Sequence, residues 1–138
     1  MKDIADLLGR AMISFIFFFE AYDSLWFITE TKKMMTSYGL TWRQDMLLWG
    51  SSSVLILGAT LVLFGYRSGF GALLLILYYL PLTFFAHPFW HGVDHYHYRN
   101  DSLHFMKNIA IIGGLLIILV NGSGRYSVKR LLSTTRVR

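Results

Sequence analysis

Four apolar runs, parted by polar segments, set the plan of the chain: Leu7 to Ile28, Met46 to Gly65, Gly69 to His87 and Phe105 to Gly122. The second and third carry no Asp, Glu, Lys or Arg. The fourth holds Lys107 near its start, and the first is interrupted by Arg10, Glu20 and Asp23. A helix crosses the hydrocarbon core with roughly 17–25 residues, which each run can supply. The runs are continuous rather than alternating, and an open sheet edge has no hydrogen-bond partners in lipid, so strands are disfavoured. The pattern predicts an all-α fold with one domain spanning 1–138. Its core is a bundle of four transmembrane helices at about 7–28, 46–65, 69–87 and 105–122, with a basic tail at 125–138.

Orientation follows from the Lys and Arg count on each side. Lys2, Arg10, Arg67, Arg125, Lys129, Arg130, Arg136 and Arg138 share one side, against Lys32, Lys33, Arg43, Arg99 and Lys107 on the other. The larger set faces the cytoplasm, so both termini are expected inside and segments 29–45 and 88–104 outside. Asp3 and Asp6 accompany the early bases, no small-x-small site follows the first run, and Glu20 lies within it. A retained helix is therefore expected rather than a cleaved signal. Gly65-Tyr66-Arg67-Ser68-Gly69 is a tight turn that makes the second and third helices antiparallel neighbours.

Composition agrees with a membrane location. Hydrophobic residues make up 54% and charged residues 15% of the chain, against about 25% charge in soluble domains. The net charge of +5 is distributed between and beyond the apolar runs, which implies an inner membrane protein and no nucleic-acid partner. With no cysteine, thiol catalysis, disulfides, zinc thiolates and iron–sulfur clusters are excluded. The chain also has no phosphate loop, nucleophile triad or dinucleotide fingerprint.

Candidate chemistry collects on the outward side. Glu20 and Asp23 are three residues apart, hence on one helical face, and acids at membrane depth mark proton, ion or ligand sites unless a base pairs with them. Lys107, beside Asn108 at the start of the last run, is the expected partner of Glu20. All five histidines fall between positions 87 and 104, and His87, His91 and His95 recur every four residues. With Asp94 nearby, His91 and His95 are candidate ligands for a metal or haem iron. Trp90, Tyr96 and Tyr98 are interleaved with them and favour instead an interfacial segment at headgroup depth. Gly50, Ser51 to Ser53, Gly58, Gly113 and Gly114 are expected to let helix backbones approach closely. Tyr78, Tyr79 and Pro81 are read as bundle core, with cavity lining as the alternative.

Several ordered pieces resemble the DoxX family of small four-helix membrane proteins. They are Leu8-Gly9-Arg10, Leu57-Gly58 through Leu63-Phe64-Gly65-Tyr66-Arg67, His87-Pro88-Phe89-Trp90, Phe105 through Leu116 with its Lys107-Asn108 start, and Gly124-Arg125-Tyr126-Ser127. The resemblance implies an accessory subunit of a quinone-linked membrane redox system. Glu20, Asp23, His87 and Lys107 would form its polar site, able to handle the protons of a quinol headgroup. The other reading is a non-catalytic scaffold packing against a larger membrane partner or a second copy.

Overall fold

A computed structural model describes residues 2–86, 95–124 and 126–128. Among the described residues five helices follow one another: α1 (Lys2–Trp26), α2 (Ile28–Ser37), α3 (Gln44–Phe64), α4 (Ser68–Ala86) and α5 (His95–Asn121). No strand occurs among the described residues. The all-α expectation holds, with one helix more than the apolar runs predicted. Two helical stretches are long and apolar enough to cross a membrane, Gln44–Phe64 and Arg99–Asn121, rather than the four expected. The apolar stretch of α4, Ser68–Phe84, is shorter, and Arg10, Glu20 and Asp23 interrupt the apolar run of α1.

The unexpected element is α2. Its sequence, ITETKKMMTS, is polar and buries no residue, so hydropathy alone hides it. It continues α1 across a bend at Phe27, where Phe27 N–H still donates to Asp23 C=O (2.9 Å) and Thr31 N–H to Phe27 C=O (2.9 Å). Gln44 anchors the far end of α2: its Nε2 donates to Thr36 Oγ1 and to Leu40 C=O, both at 2.8 Å. Lys32 pairs with Asp45 across the same junction.

α1 packs on α3, α3 on α4 and α4 on α5, with a sparser contact between α1 and α5. The core side of α1 is the stripe Arg10, Ser14, Phe17 and Ala21, a helical period that also aligns Leu55, Ala59 and Val62 on α3. Leu75 and Tyr79 of α4 and Ile112 and Leu115 of α5 complete the centre. Outward faces are the reverse of a soluble protein: Phe15 is 72% exposed, Leu77 63% and Val120 82%. A contiguous apolar surface of this kind is what lipid or another membrane helix covers.

Two glycines set the α3–α4 distance. A Cβ on Gly58 would lie 2.7 Å from Leu75 Cγ, and one on Gly71 would lie 2.9 Å from the Gly58 carbonyl. Here small residues do bring backbones together, whereas Gly50 and Gly113 have nothing within 4 Å and play no such part. At the turn between α3 and α4, Gly65 closes α3 at φ 67°, a left-handed conformation that favours glycine.

Candidate functional site

The two ends of the bundle carry different chemistry. At the end where α3 finishes and α4 starts, the fully buried Arg10 acts as a clasp. Its Nε donates to Asp6 Oδ2 (2.9 Å), Nη1 to the carbonyls of Val62 and Leu63 (both 3.3 Å), and Nη2 to Tyr126 C=O (2.6 Å). Gly124 N–H donates to the same Asp6 Oδ2 (3.1 Å). One guanidinium thus reaches late carbonyls of α3, of which Val62 C=O also accepts from Gly65 N–H (3.2 Å), and fastens the segment after α5 to α1. The arrangement is fully occupied and structural.

At the opposite end a cavity of about 470 Å³ opens between the helices. Glu20 and Ser24 reach it from the last turns of α1, Ser51 from α3, Tyr78 and Tyr79 from α4, and His104 and Asn108 from α5. Thr31, Met34 and Met35 of α2, with Tyr38 just past its end, roof it. Glu20 comes here because it is one position from the buried stripe, turned toward the gap that the sparse α1–α5 contact leaves.

The polar groups are ordered by the surrounding core. Tyr79 Oη donates to Asn108 Oδ1 (3.0 Å), and its ring meets Phe17 edge to face at 5.2 Å between centroids. The Glu20 carboxylate lies close enough to Tyr78 and Tyr79 to act electrostatically on both. Tyr38, where α2 ends, has its phenol pushed up by burial and then by the Asp101 carboxylate, so it stays a neutral donor.

Of the predicted site residues, Glu20 lines the cavity. Asp23, three positions on, is exposed and does not. Lys107 is exposed and makes no ion pair with Glu20; the described ion pairs are Arg10–Asp6, Lys32–Asp45 and Lys33–Glu30. The expected Glu20–Lys107 pair is therefore corrected. One residue is about 100° of helix, and it is Asn108 rather than Lys107 that turns inward. His87, His91 and Asp94 lie outside the described residues, and of His95 only the backbone, at the start of α5, is described. Among the described residues no group of three His, Cys, Asp or Glu is placed to hold a metal. Tyr78 and Tyr79 are cavity lining as well as core.

The α2 contribution was missed in the sequence. The signal that could have exposed it is helical spacing: Thr31, Met34, Met35 and Tyr38 recur at three and four residues and share one face.

Fold and site together define a multi-pass, all-α inner membrane protein with a cavity at one end of its bundle. The chain belongs to the SURF4 family, whose model matches residues 35–132. It is similar to the inner membrane protein YqjF of Escherichia coli (strain K12), 28% identical over 137 residues that cover 96% of this chain and 95% of that protein. No solved structure matches. The family match overturns the DoxX resemblance. The pieces that carried it include Gly58, which permits close helix packing, Gly65, which closes a helix in the left-handed region, and Arg10, which caps α3. Any small bundle of this connectivity rewards such residues, so they report fold rather than lineage.

Proposed function

We propose that this inner membrane protein crosses the bilayer four times, through α1, α3, α4 and α5, with both termini cytoplasmic, and that it holds a small lipid-soluble ligand in an outward-facing cavity. The observation that carries the reading is the cavity itself. Its volume of about 470 Å³ falls in the range of small-molecule sites, and apolar walls surround a few convergent polar groups: Glu20, Ser51, Tyr79 and Asn108. The Lys and Arg bias supports the orientation, and the apolar outer faces of α1 and α4 support the two additional spans. Charge within α1 is compatible with spanning because Arg10 is paired and hydrogen-bonded, and Glu20 faces a cavity rather than lipid.

A quinone-linked accessory role loses its family basis with the DoxX resemblance and keeps only the proton-handling chemistry of Glu20 beside Tyr79. A scaffold role is the second reading. It is favoured by Gly50 and Gly113, which leave open space on the helix surfaces where a partner's helix could approach. Purification in mild detergent, followed by organic extraction and mass spectrometry, separates the readings. A small molecule recovered with the protein and lost from Ser51→Trp, which fills the cavity, supports ligand binding; quinone in that extract returns the redox role. No small molecule, together with a stoichiometric membrane partner that Ser51→Trp leaves in place, refutes ligand binding in favour of the scaffold.

A further inference from the structure

We infer that the ligand of this cavity is a lipophilic organic cation, an amine or quaternary ammonium carried on an apolar body, recognised by the Glu20 carboxylate and the rings of Tyr38, Tyr78 and Tyr79. The inference rests on the ligand-binding reading and assigns it a chemical class. Two independent observations converge on it. The first is charge. Among the described residues, Glu20 is the acidic side chain lining the cavity, no Lys or Arg lines it, and no hydrogen bond or ion pair reaches the carboxylate. Nearby bases are committed or turned away: Lys32 to Asp45, Lys33 to Glu30, and Lys107 to the exposed face of α5. The remaining ionisable lining groups are His104 and the three tyrosines. A carboxylate at membrane depth is costly without a counter-charge, and a bound cation supplies it.

The second observation is the walls. Three tyrosines, Tyr78 and Tyr79 on α4 and Tyr38 just past the end of α2, line the same space as the carboxylate, and ring faces attract cations electrostatically. Tyr79 is fixed by its bond to Asn108 and its contact with Phe17, so one wall is set before any ligand arrives. Met34 and Met35 give the roof polarizable, adaptable surface suited to varied apolar bodies. An anionic ligand would meet the Glu20 carboxylate with no Lys or Arg among the described lining residues to receive it. A neutral one would supply no counter-charge and leave the carboxyl to take up a proton instead.

Equilibrium dialysis of the detergent-solubilised full chain tests this with three probes of similar shape: tetraphenylphosphonium, the tetraphenylborate anion and neutral triphenylphosphine oxide. The expected result is saturable binding of the phosphonium, at least tenfold tighter than either other probe. Glu20→Gln should weaken it roughly thirtyfold, as removing one partner of a buried charge pair does. Glu30→Gln, the same charge change on the outer surface of α2, should alter it less than twofold. The wild-type comparison needs no variant, so a poorly folding Glu20→Gln leaves the test intact. Equal binding of phosphonium and phosphine oxide, abolished by Ser51→Trp, overturns the cation inference and leaves ligand binding standing. Binding of none of the three, or binding indifferent to Ser51→Trp, overturns it as well; the extraction experiment above then decides the broader reading.

Discussion

Replacing Arg10 by Met keeps the length and apolar stem of the side chain and removes the guanidinium. Four contacts go with it: the ion pair to Asp6 at 2.9 Å, the bonds to Val62 and Leu63 at 3.3 Å, and the short bond to Tyr126 at 2.6 Å. Breaking a buried pair by deleting one partner costs about 3–5 kcal/mol. The Asp6 side chain is 29% exposed, so water compensates part of its loss, and the two long bonds are weak. The lower end applies, about 3 kcal/mol, roughly a hundredfold in the folding equilibrium. Reversible unfolding by graded addition of denaturing detergent measures it. Arg10→Lys should fall between, because one ammonium cannot serve acceptors on α1, α3 and the 124–127 segment together. The double variant Arg10→Met, Asp6→Ala should lose less than the sum of its parts, since the two residues touch. A loss under 1 kcal/mol for Arg10→Met, or strict additivity with Asp6→Ala, would refute the clasp.

Reporter fusions at residue 40 should read outside and those at residues 67 and 128 inside; a cytoplasmic signal at 40 inverts the proposed orientation. Glu20→Gln and Lys107→Gln should be additive in unfolding to within about 0.5 kcal/mol, because no contact joins them, and a larger coupling would restore the pair. Ser14 and Ser52 bury hydroxyls without hydrogen-bond partners, so Ser14→Ala and Ser52→Ala should each be neutral or stabilise by about 1 kcal/mol in the same unfolding assay. Tyr79→Phe removes the bond to Asn108 and should cost about 1 kcal/mol there while retaining phosphonium binding, since the ring remains.

Hydropathy was sufficient for the uniformly apolar helices. The run from Met46 to Gly65 is α3 to within a few residues, and that from Gly69 to His87 is α4. It failed where a helix is polar. α5 begins ten residues before its apolar run because the stretch from His95 to His104 is helical without being apolar. α2 carries Lys32, Lys33 and Glu30 on its surface and reads as a loop for the same reason. The acid of the site was legible, since a carboxylate within an apolar run is conspicuous. Its surroundings were not, because three-residue spacing put Glu20 and Asp23 on one broad face, while the boundary of the cavity passes between them. Which of Lys107 and Asn108 faces inward depends on the rotation of α5 against α4, and that is a property of packing. The resemblance failed for a related reason: glycine turns and close contacts recur wherever small bundles pack.

Arg10 also bears on how the protein comes to exist. Its shortest hydrogen bond is to a carbonyl 116 residues further along the chain. While the first helix leaves the ribosome and enters the bilayer, the guanidinium has Asp6 for company and nothing else. The α3 carbonyls arrive after more than fifty further residues, and Tyr126 only after α5 has been made. In the proposed topology the first helix therefore waits near the cytoplasmic surface, its charge kept in reach of water, until the later helices are in place. Final seating of α1 is then one of the last events of biogenesis, and it closes both ends of the bundle at once: the clasp beneath and the cavity above.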